Sequence, residues 1–389
     1  MNTQVPFRFL LNPEITFLNF GSFGACEESI FEKYQALQRE FEYEPVQFMT
    51  QKGPRLLGEA REALGRYLGA NADELVFIPN PTYAMNIVVK SIPLGVGDEV
   101  LTTDLEYGAI DKTWQYYADQ RGFRYVRTPI PLPLQSEEAF VNAFFAGYTP
   151  RTKAIFISEI TSTTGLIFPV KAICKKAKEL GLLTIVDGAH VPGHIPLNIS
   201  EMDADIYTGA CHKWMMTPKG SSFLYAKKEH HAWLDPLVVS WGYKSPVKGD
   251  SLLIDYHQQQ GTRDFTAALT VPHALHFLEK NIWENHARGC RELVRKNIDR
   301  FEKLLNTSAL APKTDAFFGQ MCSLAIQTSA PLELKETLYH RYKIEIPIMT
   351  HDHRTFIRYS IQVFNDQKDL DHLYGSLEEI LKEGKVLSV

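Results

Sequence analysis

The chain has no long apolar run. No stretch of its 389 residues approaches the ~20 needed to span a bilayer. Its opening, Met1-Asn2-Thr3-Gln4-Val5-Pro6, has no basic region followed by an apolar core, so no signal peptide is expected. There is no basic block, and the formal charge is −5, which argues against a nucleic-acid partner. Cysteine is sparse. Cys26, Cys174, Cys211, Cys290 and Cys322 are scattered, odd in number and never spaced C-x-x-C. A disulfide framework and a zinc site are therefore disfavoured, and a reducing cytoplasm is the expected compartment. Cys211, two positions before Lys213, reads as a small buried residue rather than a reactive thiol.

Several signatures are also missing. Gly21-Ser22-Phe23-Gly24 and Gly95-Val96-Gly97 do not make G-x-G-x-x-G after a strand, and no G-x-x-x-x-G-K-[ST] occurs. The phosphate loops of Rossmann and P-loop proteins are thus absent. The thirteen histidines form no H-E-x-x-H, and no metal site is expected. No internal repeat or low-complexity segment is present.

What remains is an ordinary globular composition, 44% hydrophobic and 22% charged, in a chain long enough for two domains. From Leu75 the pattern alternates strand and helix. Leu75–Ile78 reads as a buried strand, and Asn80-Pro81-Thr82 opens a helix through Val89. Glu99–Thr102 is a strand, Ile110–Gln120 a helix, and Phe123–Val126 a strand. Lys153–Ser158 is a strand, and Pro169 suits the first turn of a helix. Ile173, Ala177 and Leu180 then share one apolar face, which Gly181 ends. The run Leu182–Val186 follows and finishes on Asp187. Strand, helix and strand at these lengths predict right-handed parallel βαβ units in a sheet covered on both faces. Past Thr270 the texture changes. One long helix is expected over Pro272–Leu305, then strands Met321–Ile326 and Phe356–Ile361 around a helix, and a final helix after Asp369.

The stretch from Asp187 to Lys213 carries the chemistry. An acid at the tip of a buried strand and a lysine in an apolar context, His212-Lys213-Trp214, are what pyridoxal phosphate chemistry needs. The lysine must lose its proton to form a Schiff base, and the acid must hold a proton on the pyridine nitrogen. Alone, such an aspartate reads as a helix cap and such a lysine as a solvated surface group. The Asn80-Pro81-Thr82 turn leads into a helix N-terminus that favours an anion, with plain capping by Thr82 or Asn80 as the simpler reading.

These residues fall in segments that together resemble the class V aminotransferase group of pyridoxal phosphate enzymes, fold type I, in its isopenicillin N epimerase-like branch. The matching segments are Leu18–Gly24, Asn80–Asn86, Asp104–Ala109, Val186–His190, His212–Trp214, Gly261–Asp264 and Ile357–Ser360. The resemblance implies an α/β fold whose large domain, 17–271, has a mostly parallel sheet of the seven-stranded type covered by helices. A smaller α+β domain, 272–389, would follow, with segment 1–16 packed on it.

The resemblance also implies roles. Lys213 matches the Schiff-base lysine, Asp187 the partner of the pyridine nitrogen and His190 the neighbour of the ring hydroxyl. Tyr107 matches the ring stacked on the cofactor. Thr82, the Tyr83 amide and His212 match phosphate contacts. Thr262 matches a phosphate contact given to the second subunit, which implies a homodimer. Arg358 matches the clamp on a substrate carboxylate, Ser162 a small polar residue lining the site, and Asn19 and Ser22 a loop near substrate. The plainer readings are core packing for Tyr107, a turn residue for Thr262, a surface ion pair for Arg358 and a simple turn for Asn19 with Ser22.

The substrate implied is an amino acid or small peptide attacked at its α carbon. Epimerisation is the first expectation, with Tyr107 as second acid. Carbon–sulfur β-elimination and transamination use the same lysine, and a catalytically silent cofactor-binding homologue is the reading from another class. The stretch Ile344–Arg354, where desulfurases of the group carry a nucleophilic cysteine, has none.

Overall fold

The computed structural model describes residues 7–249, 251–351 and 353–388. Its centre is a seven-stranded sheet. In chain order the strands are β1 (Leu75–Ile78), β2 (Glu99–Thr103), β3 (Arg124–Thr128), β4 (Thr152–Ser158), β5 (Leu183–Gly188), β6 (Ile206–Ala210) and β7 (Ser222–Ala226). Their spatial order is β1-β7-β6-β5-β4-β2-β3. All neighbours from β3 to β6 run parallel, and β7 alone runs against both of its neighbours.

Both faces of the sheet are dry, because its strands alternate between two apolar clusters. Phe77, Leu101, Ile155, Ile157 and Val186 join one cluster, and Val76, Val100, Phe156 and Ile185 the other. That is why these strands read as continuous apolar runs. The edge strand β3 presents two exposed residues, Arg124 and Arg127, and charge there discourages pairing with another sheet.

A three-stranded antiparallel sheet follows, with β8 (Met321–Ile326), β9 (Ile348–His351) and β10 (Arg354–Ser360) in the order β9-β10-β8. The start of the chain is tied to this region. Thr16–Phe17 pairs in parallel with Ile344–Glu345, and the Ser360 amide donates to the Leu18 carbonyl at 2.8 Å. Phe7 packs against Phe277 and Trp283. Among the described residues no helix is long and apolar enough to cross a membrane, and all five cysteines are unpaired.

Some expectations are corrected. The single helix over Pro272–Leu305 is two, Val271–Lys280 and Trp283–Leu305. The break falls at Ile282, whose φ of +47° is costly for a β-branched residue and has no glycine or proline to announce it. It turns Trp283 inward, where its indole donates to the Gly193 carbonyl at 3.0 Å. Leu180 is 38% exposed, and the buried face of its helix is Val170, Ile173, Cys174 and Ala177 instead. The helix expected over Ile110–Gln120 runs from Gly108 to Arg121, and the strand expected at Phe123–Val126 is shifted to Arg124–Thr128. Gly21-Ser22-Phe23-Gly24 lies in a short helical turn, Phe20–Phe23, closed by Gly24 at φ +64°. No side chain fits at position 24, because a Cβ there would sit 2.8 Å from Cα of Lys213.

Candidate active site

A ligand crevice is expected at the carboxyl ends of the parallel strands, and hydrogen bonds and charges bring Asp187, His190, Lys213, Arg358, Ser22 and Ser162 together there. Asp187 is the penultimate residue of β5 and is buried, with the Ala189 amide donating to its Oδ1 at 2.9 Å. Burial raises its carboxyl above the ordinary range, opposed by the Ala189 amide and by the charge of Lys213. Lys213 lies in the turn just beyond β6. Its Nζ is 3.1 Å from Nε2 of His190, three residues beyond Asp187. Loss of solvation, and then repulsion from Arg358, bring the ammonium down to about 7, although Asp187 pulls it up. An amine at that value has a substantial unprotonated, nucleophilic fraction at physiological pH. His190 is buried and kept neutral by that burial and by the cations of Lys213 and Arg358.

Asn80 caps the helix Pro81–Ser91, its Oδ1 accepting the Tyr83 amide at 2.9 Å. That amide already has an acceptor, while Thr82 stands half-buried in the same first turn. His212 is buried and pushed down to about 4 by burial, and its Nδ1 lies 3.1 Å from the Ser221 carbonyl. Tyr107 sits at the start of the helix Gly108–Arg121 with 45% of its surface exposed. Thr262 is exposed in the bend opened by Gly261, whose φ is +83°. Neighbouring Arg263 reaches the electrostatic field of Tyr83.

Arg358 comes in from β10 and is only 1% exposed. Its Nη2 donates to Ser22 Oγ at 3.2 Å and its Nη1 to the Ser162 carbonyl. Ser162 therefore engages the arginine through its main chain. Ser22 in turn donates to Asn19 Oδ1, and Asn19 Nδ2 donates to Glu345 Oε1 at 3.0 Å. Gly21 makes room for this packing, since a Cβ there would meet Arg358 Nη2 at 3.2 Å and Met321 Sδ at 2.5 Å.

The aminotransferase class-V model matches residues 32–373. An isopenicillin N epimerase of Amycolatopsis lactamdurans is 31% identical over 387 residues, covering 96% of each chain. The chain belongs to the class-V aminotransferase family. An L-cysteine desulfhydrase of Arabidopsis thaliana is 26% identical, covering 94% of this chain and 88% of its own. A cysteine desulfurase structure from Thermococcus onnurineus NA1 has the same fold, with a TM-score of 0.81 at 19% identity over 95% of each chain. The fold is thus type I of the pyridoxal phosphate enzymes, and this class-V protein is an enzyme that uses pyridoxal phosphate.

The residues present fit that cofactor. The crevice offers a near-neutral amine, a buried carboxyl at the strand end that can pair with a ring N–H, and, after β1, a helix N-terminus suited to a phosphate. The structure adds residues that the sequence reading gave no role. Glu106 is buried, accepts the Thr103 hydroxyl at 2.8 Å and the Ser158 amide at 2.9 Å, and is pushed up to about 8 by burial. Glu159, whose amide donates to the Asp187 carbonyl at 2.9 Å, is pushed up to about 7 and accepts the Tyr207 hydroxyl at 2.7 Å. His194 and Trp214 pack beneath His190. His194 lies four residues beyond His190 with a proline and a glycine between, a spacing that gave no helical signal.

Proposed function

We propose that this enzyme acts at the α carbon of an amino acid or small peptide and inverts it, as an isopenicillin N epimerase-like amino-acid epimerase. The observation that carries the reading is the Lys213 amine, near neutrality and 3.1 Å from the His190 imidazole, in the same buried crevice as Asp187. The likeness to epimerases over nearly the whole chain supports inversion over other outcomes.

Bound in this crevice, pyridoxal phosphate supplies an electron-accepting ring that lowers the energy of negative charge at the substrate α carbon. In our reading Asp187 keeps the pyridine nitrogen protonated, and the low polarity around its carboxylate strengthens that pairing. His190 would pair with the ring hydroxyl. Thr82 and His212 would hold the phosphate, joined by the Tyr83 amide once it leaves Asn80 Oδ1, and Ser162 would line the pocket. Lys213 Nζ removes the α proton from one side. Arg358 grips the substrate carboxylate with its planar fork, which requires the Ser22 and Ser162 contacts to loosen, and Asn19 steers that loop. Tyr107 faces the opposite side, and its phenol returns a proton there. The exposed Thr262 belongs to the phosphate site of a second copy, so the working unit is a homodimer in the cytoplasm.

Incubation in deuterium oxide with a panel of amino acids tests the reading. Wild-type enzyme should exchange the α hydrogen and lose optical purity together. Tyr107→Phe should keep exchange and lose inversion, and parallel survival of both would remove Tyr107 from the mechanism. Release of pyruvate, ammonia and sulfide from cysteine without inversion of any substrate would favour the second reading, carbon–sulfur lysis. That alternative rests on the desulfhydrase relatives. Persulfide transfer is disfavoured because Ile344–Arg354 holds no cysteine.

A further inference from the structure

Trp214 follows Lys213 directly and is fully buried. Its ring stacks on His194 with centroids 4.0 Å apart and leans on Phe20 at 5.1 Å. Its Nε1–H donates to Nδ1 of His190 at 3.4 Å. An indole N–H can only donate, so the direction of this bond is fixed by chemistry. His190 Nδ1 must accept. A neutral imidazole that accepts at Nδ1 carries its proton on Nε2, and Nε2 is the atom 3.1 Å from Lys213 Nζ.

His194 secures this arrangement from below. Its Nδ1 lies 2.8 Å from the His190 carbonyl, which can only accept, and its Nε2 receives the Gln320 amide at 2.6 Å. Its tautomer is thereby fixed as the opposite one, with the proton on Nδ1. The seat is tight, since a Cβ on Gly319 would come within 2.3 Å of His194 Nε2. The strand region leading into β8 therefore sets the plane on which Trp214 stacks, and Trp214 sets the proton of His190.

We propose that Trp214 is a positioning residue whose indole N–H locks His190 in the Nε2–H tautomer, so that this ring presents a donor to the Lys213 amine and to the hydroxyl of the cofactor ring. The opposite tautomer would offer both of them a lone pair. With Nε2–H facing Nζ, a protonated lysine sets donor against donor, whereas the free amine accepts. The consequence for Lys213 rests on its reading as the cofactor amine. The tautomer of His190 does not, and it is measured separately.

The test is long-range 1H–15N NMR of the full-length holoenzyme labelled with 15N-histidine, with the His190 signals assigned by their loss in His190→Gln. The expected wild-type pattern is a protonated Nε2 and a bare Nδ1 at His190. Trp214→Phe keeps an aromatic ring but removes the donor, and should shift the tautomer ratio about fivefold or more toward Nδ1–H, the fold-change corresponding to one modest hydrogen bond. If that variant does not fold, a benzothienylalanine at position 214 replaces the N–H by sulfur in nearly the same shape. A purely packing role predicts no change of tautomer with that residue. A wild-type His190 found as Nδ1–H or as imidazolium overturns the proposal, as does an unchanged ratio when the indole N–H is removed. A wild-type enzyme that shows the Nε2–H pattern but epimerises no substrate would count against the proposed function and leave this inference standing.

Discussion

The floor and the rim of the crevice are built differently. On the floor, Asp187, His190, His194 and Trp214 are all buried, and each is held by a named partner. On the rim, Tyr107 is 45% exposed, Phe23 is 72% exposed and Thr262 stands in an open bend. A buried group can have its proton affinity set by the protein, because low polarity magnifies each neighbour. An exposed group is screened by water and is free to serve substrate or a second subunit. On the proposed function the floor carries the cofactor chemistry, and the rim meets substrate or a second copy.

The sharpest break of the floor is Lys213→Ala, which should lower turnover by three orders of magnitude or more, roughly the upper span of a general base. Its check is turnover together with loss of the near-visible absorbance of the bound cofactor. Asp187→Asn comes next, with an expected loss on the order of 10²–10³ in turnover and little change in KM, because an electrostatic partner of the reacting system is removed.

The floor also predicts a pH dependence. Only the unprotonated amine can react with an aldehyde, so the rate of cofactor loading should rise with pH through about 7. Arg358 depresses the Lys213 value, so Arg358→Met should move that rise to higher pH in stopped-flow absorbance. An unmoved midpoint would mean that burial alone sets the amine. On substrate, Arg358→Lys should raise KM by about 10- to 100-fold, since a point charge cannot reproduce a bidentate grip.

Of the floor, Asp187 was legible in the sequence because buried strands announce themselves as apolar runs, while His190 came only through the family resemblance. Asp187 closes the run of β5, and Asn80-Pro81-Thr82 closes that of β1. What stayed hidden depended on tertiary packing. No local pattern distinguishes a tryptophan that aims its N–H at His190 from one that fills space. The sealing of Arg358 by Ser22 and the Ser162 carbonyl joins residues far apart in the chain. The break at Ile282 is imposed by the burial of Trp283, against the helical preference of the surrounding residues.

Glu106 joins the two regions, for it is buried while the next residue, Tyr107, is on the rim. Its carboxyl is raised from 4.5 to about 8, chiefly by burial, so the folded chain holds a proton that the unfolded chain has released over that interval. Folding is then favoured most below 4.5, and its stability declines as pH rises toward about 8. Glu106→Gln mimics the protonated form and removes this decline. The hydroxyls of Thr103 and Ser158 can turn to suit the amide. We expect the variant to unfold at nearly the wild-type temperature at pH 5 and at a higher temperature than wild type at pH 8, followed by circular dichroism. Turnover should change by less than about threefold, because the carboxyl supports Tyr107 through the main chain and does not meet the reacting atoms. A variant that lost inversion while keeping α-hydrogen exchange would instead tie the buried floor to the placement of the Tyr107 phenol. The division between a fixed floor and a free rim would then fail at this residue.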